Sequence, residues 1–135
     1  MTFSATYFGS SGWFLEIGDL RILIDPWLTG NLVFPPGPWL IEGILKKEVE
    51  PPEGINLILL TQGLADHAHP PSLMILSRSI PVICSKSASN IVKKVGFSSI
   101  LKLSPGEKHK YIDLEIEATA GACVPTLENG YFLKH

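Results

Sequence analysis

Apolar residues recur along this chain in two rhythms, and the change from one to the other predicts its layout. Residues 2–8 alternate weakly and are rich in β-formers, until Gly9, Ser10, Ser11 and Gly12 break the run. Residues 13–17 and 20–24 read as two further strands. Gly18-Asp19 between them is a two-residue turn flanked by apolar segments, a hairpin signal. Three short antiparallel strands are therefore expected at the start, ended by Asp25-Pro26. Residues 55–60, with the apolar run 57–60, read as a central strand, and 81–84 and 100–103 as further strands. Strands covered on both faces read this way. Between them lie two helical segments. Pro70-Pro71-Ser72 opens the first, through about residue 77, because proline suits a first helical turn. The second starts from a cap at Ser85 or Ser87, runs through Val95 and stops at Gly96, with Ile91, Val92 and Val95 on its apolar side. Residues 104–107 read as a turn. Strands follow at 109–112 and 114–118, then a turn at 128–131 and a last strand at 131–134. Strands, then strand–helix–strand–helix–strand, then strands again: this order predicts a layered α/β fold with a mixed β-sheet and flanking helices.

One stretch escapes both rhythms. Residues 26–54 carry Pro26, Pro35, Pro36, Pro38, Pro51 and Pro52, with Trp27 and Trp39. Proline fixes φ and removes a donor, so long regular elements are excluded, although a short helix at 40–47 is expected. Loops of this length pack as lids or line pockets.

Composition narrows the class. The chain has 135 residues, a normal size for one domain, and 45% of them are hydrophobic, enough for a real core. Charged residues are 18%, below the usual quarter, which argues against disorder and for surface covered by a partner. The net charge of -2 comes without any basic block, so nucleic acid is a poor partner. No apolar run reaches the ~18 residues a membrane span needs, and the first residues lack the layout of a signal peptide. Cys84 and Cys123 are not closely spaced, which fits reduced, buried thiols in a cytoplasmic protein. No Gly-Lys-Ser/Thr phosphate loop and no Gly-x-Ser-x-Gly elbow is present.

Chemistry concentrates where the run 57–60 ends. Thr61, Gln62, Gly63, Leu64, Ala65, Asp66, His67, Ala68 and His69 form a polar loop between a buried strand and a helix. In α/β sheets, sites gather at such strand ends. The loop resembles the signature of the metallo-β-lactamase superfamily, His-x-His-x-Asp-His, which falls here on Gln62, Gly63, Leu64, Ala65, Asp66 and His67. The Asp-His half matches. The two leading histidines are replaced by Gln62 and Leu64. The stretch from Thr6 to Glu16 is similar to the opening hairpin of the ascorbate-6-phosphate lactonase-like branch, and Arg21 to Leu28 resembles the strand and Asp-Pro that follow it there.

The resemblance implies an αββα sandwich, present here mainly as its amino-terminal half. The residues would form a single domain, 1–135, incomplete at the carboxyl end. It implies a metal-dependent hydrolase of a small ester, lactone or phosphorylated metabolite. Asp66, His67 and the off-motif His69 would be metal ligands, Asp66 and Gln62 would act in catalysis, and Asp25 would support them from behind. One divalent ion is implied, zinc first, with iron or manganese as alternatives. The lost histidines imply an impaired site and weak or no turnover by this chain alone. Leu64 cannot ligate, and no imidazole follows the strand at 114–118, where Cys123 reads as a buried structural cysteine. The alternative for Asp66 and His67 is a helix cap with local hydrogen bonds. The alternative for the protein is a non-catalytic descendant that binds a ligand or partner through Trp27, Phe34 and Trp39. An uncovered sheet face implies a homo-oligomer or association with the missing half. His109 and His135 are expected at the surface.

Overall fold

The apolar runs pair into one six-stranded mixed sheet in the computed structural model, which describes residues 2–123 and 126–135. Strands β1 (Phe3–Gly9), β2 (Gly12–Ile17) and β3 (Leu20–Ile24) form the expected antiparallel meander. Gly18 supplies the left-handed turn at φ 58°. β6 (Leu57–Leu60) lies parallel to β3, then β7 (Val82–Cys84) and β8 (Ile100–Lys102) extend the parallel part, giving the order β1-β2-β3-β6-β7-β8. All four residues of β6 are buried because both faces of that strand are covered.

Each face of the sheet has its own core. Leu23, Ile58, Leu60, Val82 and Cys84 point to one side, where α1 (Pro70–Met74) and α2 (Lys86–Val95) pack through Leu73, Ala88 and Val92. Ile22, Leu57, Leu59 and Ile83 point to the other. There a second sheet, ordered β11-β10-β9, covers them with Leu114, Ile116 and Ala118, from β9 (Lys108–Tyr111), β10 (Leu114–Cys123) and β11 (Leu127–Lys134). The layers are therefore helices, mixed sheet, antiparallel sheet. The second sheet covers Ile17 on the inner face of β2, with Leu15 packed beside it, and leaves β1 from Phe3 to Tyr7 exposed. In the β1–β2 register Phe3 opposes Ile17 and Tyr7 opposes Trp13, so these rings share that inner face, and Phe3, Tyr7 and Trp13 are exposed.

Four expectations are corrected. Residues 40–47 hold no helix. Leu32–Val33 (β4) pairs with Glu42–Gly43 (β5) across the proline-rich tip, and Gly43 packs so tightly on Leu32 that an added Cβ would lie 3.1 Å from the Leu32 Cβ. Helix α1 is shorter than expected, ending at Met74. Residues 128–131 are not a turn, because Asn129 and Gly130 stand in register with Ala120 and Thr119 inside a continuous strand. Cys123 is exposed rather than buried, and Cys84 is the buried thiol, pushed up by desolvation to about 12 and so held unreactive.

β6 carries both cores, with Leu59 fully buried between the sheets. Leu59→Ala is expected to lower unfolding stability by about 2–5 kcal/mol. Urea denaturation followed by far-UV circular dichroism measures this.

Candidate functional site

The site is built where β3 and β6 end side by side. Asp25 is the last polar residue of the β3 end, and only 2% of it is exposed. Its backbone is left-handed, at φ 42°, a conformation an aspartate tolerates at a cost of about 1–3 kcal/mol. The Asp25 amide donates to the Leu59 carbonyl at 3.1 Å, which ties the turn to β6. This geometry directs the carboxylate across the strand end. Its Oδ1 accepts from the Thr61 amide at 2.8 Å, and its Oδ2 accepts from the Thr61 hydroxyl. Oδ2 also faces the Nδ1 of His67 at 2.7 Å.

With a carboxylate at Nδ1, that nitrogen carries the proton and donates to Asp25. The other ring nitrogen, Nε2, is turned toward Asp66 and lies 3.4 Å from its Oδ2. Burial alone would lower the His67 pKa. The hydrogen bond and charge of Asp25, with the fields of Asp66 and Glu128, outweigh it and raise the value. Burial also raises the Asp25 pKa, against the opposing pull of its bonds from His67 and Thr61.

The second carboxyl oxygen of Asp66, Oδ1, is buried and has no hydrogen-bond partner. Asp66 therefore does not cap the helix; the N-cap of α1 is His69, which makes no side-chain cap bond. Nor is the bonding of His67 local, since its partner Asp25 comes from another strand. The capping alternative for this pair does not describe the structure.

His69 is spoken for on both sides. Ser72 Oγ accepts the amides of Leu28 at 2.8 Å and Thr29 at 3.3 Å, so its own hydrogen goes to His69 Nδ1 at 2.8 Å. Nε2–H then donates to the Asn31 carbonyl at 3.1 Å. In this arrangement neither nitrogen is open to a metal, and the imidazole joins the proline-rich loop to α1. Burial lowers its pKa, which keeps it neutral. Gln62 is half-buried. Gly63 follows it because no side chain fits: an added Cβ would lie 2.9 Å from both the backbone carbon and the hydroxyl of Ser87.

Sequence reasoning missed the residues that brace this loop from the second sheet. Glu128 is buried, accepting from Ser87 Oγ and Thr126 Oγ1, both at 2.7 Å. The Asn129 amide donates to the Thr61 carbonyl at 3.1 Å, and the Tyr131 hydroxyl donates to the Leu60 carbonyl at 2.9 Å. A polar Glu-Asn-Gly run inside an alternating segment was the available signal, and it reads equally as a turn.

Zinc takes imidazole and carboxylate ligands at about 2.0–2.2 Å, so two ligands of one tetrahedral ion stand about 3.4 Å apart. His67 Nε2 and Asp66 Oδ2 have that spacing. With a carboxylate behind the imidazole and an orphaned oxygen on Asp66, the pair fits a cation. It is a partial fit, because no group of three or more His, Cys, Asp or Glu residues that could hold a metal exists among the described residues.

Residues 4–126 match the family described as Beta-lactamase superfamily domain. The chain belongs to that superfamily. It is 31% identical over 106 residues to a UPF0173 metal-dependent hydrolase of Thermoplasma acidophilum, a match covering 78% of this chain and 42% of that protein. It is 38% identical over 78 residues to another of Paracoccus denitrificans, covering 58% of this chain and 30% of the relative. The chain thus spans less than half the length of these curated relatives. Among solved structures, the isothiocyanate hydrolase from Delia radicum gut bacteria superposes with a TM-score of 0.74 at 16% identity, over 97% of this chain and 58% of that one. The E377D mutant of the CmlA beta-hydroxylase gives 0.73 at 19% identity, over 98% of this chain and 28% of that one. These likenesses establish the metallo-β-lactamase fold.

Two outcomes are expected in the metal-free chain. Histidine titration followed by NMR places His67 above the ordinary value of about 6.5 and His69 below it, and Asp25→Asn lowers the His67 value by removing its hydrogen-bonded charge. Gly63→Ala lowers stability by about 1–3 kcal/mol through overpacking on Ser87, read from thermal unfolding.

Proposed function

We propose that this chain is the amino-terminal half of a metal-dependent hydrolase of the metallo-β-lactamase fold, with an impaired metal site. Asp66 and His67 hold one divalent ion, zinc first and iron or manganese next. Asp25 fixes the imidazole from behind, and the half-buried Gln62 orients water or substrate. A bound ion of this kind lowers the pKa of water and supplies a hydroxide nucleophile. The substrate class is a small ester, lactone or phosphorylated metabolite. The observation that carries this reading is the Asp25–His67 bond at 2.7 Å, which leaves Nε2 facing Asp66. A carboxylate behind a ligating imidazole fixes its tautomer and raises its basicity. The printed names of the relatives, metal-dependent hydrolases, support the same class.

The impairment follows from Gln62 and Leu64, which stand where two histidines of the motif belong. The rest of the site comes from a second half, or a second copy, seated on the exposed inner face of Phe3, Tyr7 and Trp13. The cytoplasm suits the buried thiol of Cys84. No helix among the described residues is long and apolar enough to cross a membrane.

A second reading, a non-catalytic binding module, has its own observation. Trp39 is 78% exposed, with Leu40, Ile41 and Ile44 exposed around it on the β4–β5 hairpin. Trp27 is half-buried, and its indole N–H donates to the Gly30 carbonyl at 2.8 Å.

Elemental analysis of the purified chain after zinc loading and desalting separates the two. The hydrolase reading expects about one zinc per chain, lost in His67→Ala and in Asp66→Ala while the circular dichroism spectrum is kept. A zinc-free chain, together with ligand capture that disappears in Trp39→Ala, would establish the binding module instead.

A further inference from the structure

Glu128 is a charge in an unusual place. It is 1% exposed, and its hydrogen-bond partners among the described residues are two neutral hydroxyls. Carboxylates are rarely buried this way, because losing water costs several kcal/mol unless the protein replaces it. The residue sits where three elements meet. Its Oε2 accepts from Ser87, in the first turn of α2, and Ser87 also lies 3.2 Å from the cap hydroxyl of Ser85. Ser87 is the surface on which Gly63 rests with no room for a Cβ. The next residue, Asn129, holds the Thr61 carbonyl through its amide and the Leu103 carbonyl through its side chain, at 2.7 Å for the latter. Thr61 in turn makes two hydrogen bonds to Asp25, which holds His67.

We propose that Glu128 is a positioning residue for the candidate metal site: by fixing Ser87 against Gly63, it fixes the loop that presents Asp66 and His67. It touches neither metal nor substrate and acts through the start of α2. The loop is gripped from one side by Asp25 in the first sheet and from the other by Glu128 and Asn129 in the second. The second sheet therefore has a role in the site although none of its residues is a ligand. The metal half of this inference rests on the reading above; the positional half does not.

The test uses the whole chain with Glu128→Ala, Glu128→Gln and Ser87→Ala. A glutamine can accept from one hydroxyl and donate to the other, so it keeps the anchor and removes only the charge. In the metal-free state, at a pH high enough that His67 is neutral in every variant, the ring resonances of His67 are expected to shift in Glu128→Ala and Ser87→Ala and to return close to their wild-type positions in Glu128→Gln. The zinc dissociation constant, from competition with a chromophoric chelator, is expected to rise about 10–100-fold in Glu128→Ala and to stay within about threefold in Glu128→Gln. His67 resonances unmoved in a folded Glu128→Ala protein would overturn the proposal. So would a Glu128→Gln protein as perturbed as Glu128→Ala, which would make charge rather than position the cause. If Glu128→Ala does not fold, Ser87→Ala decides in the same way. A wild-type chain that binds no zinc removes the metal reading, and the His67 resonances still decide the positional one.

Discussion

A single hydrogen bond, from the imidazole of His67 to the buried carboxylate of Asp25, is the constraint on which the site depends. It joins the ends of β3 and β6, two parallel strands that the sheet already holds in register. The carboxylate is accessible to almost no water, so its charge must be met by the protein. Thr61 meets it with an amide and a hydroxyl, and His67 meets it with a ring N–H. Those three donors fix the tautomer of His67 and the direction of Nε2. The left-handed backbone of Asp25 is the local cost of aiming the carboxylate this way, and the surrounding hydrogen bonds hold it there.

This bond orients the half of the motif that matches the superfamily signature. Gln62 and Leu64 have lost the first half of the signature, yet the groups that orient the second half are all in place. His67 has the buried carboxylate of Asp25 on one nitrogen and the Asp66 carboxylate 3.4 Å from the other. His69 shows the contrast within the same loop. Both of its nitrogens are bound to groups that fasten the proline-rich segment, and burial keeps it neutral. Two imidazoles two residues apart thus have opposite roles, set by what stands behind each ring.

Much of the fold could be read from the sequence because its strands follow simple burial rules. β6 and β7 are covered on both faces and appear as unbroken apolar runs, and the Gly18-Asp19 turn marks its own hairpin. Ser85 and Gly96 bound α2 where the capping rules put them, with Ser85 accepting from the Ala88 amide at 3.3 Å and Gly96 left-handed. The failures came where tertiary contacts overrode local signals. A sequence ending in Gly-Ile-Leu-Lys-Lys looks helical until Leu32–Val33 is seen to pair with Glu42–Gly43. Asn129-Gly130 looks like a turn until β10 is seen to run beside it for its full length. In the site, Asp25, Asp66 and His67 were legible from the motif. Ser72, Glu128 and Asn129 were not, because partners such as Leu28, Ser87 and Leu103 lie 44, 41 and 26 residues away and a single sequence carries no trace of that proximity.

The proposed cation-binding pair of His67 Nε2 and Asp66 is tested most directly by a crystal structure of the zinc-soaked chain with data collected across the zinc absorption edge. An anomalous peak is expected bonded to His67 Nε2 and an Asp66 oxygen, with the His67–Asp25 bond intact. A zinc-saturated crystal with no peak at that pair, or with His67 turned away from Asp25, would contradict it.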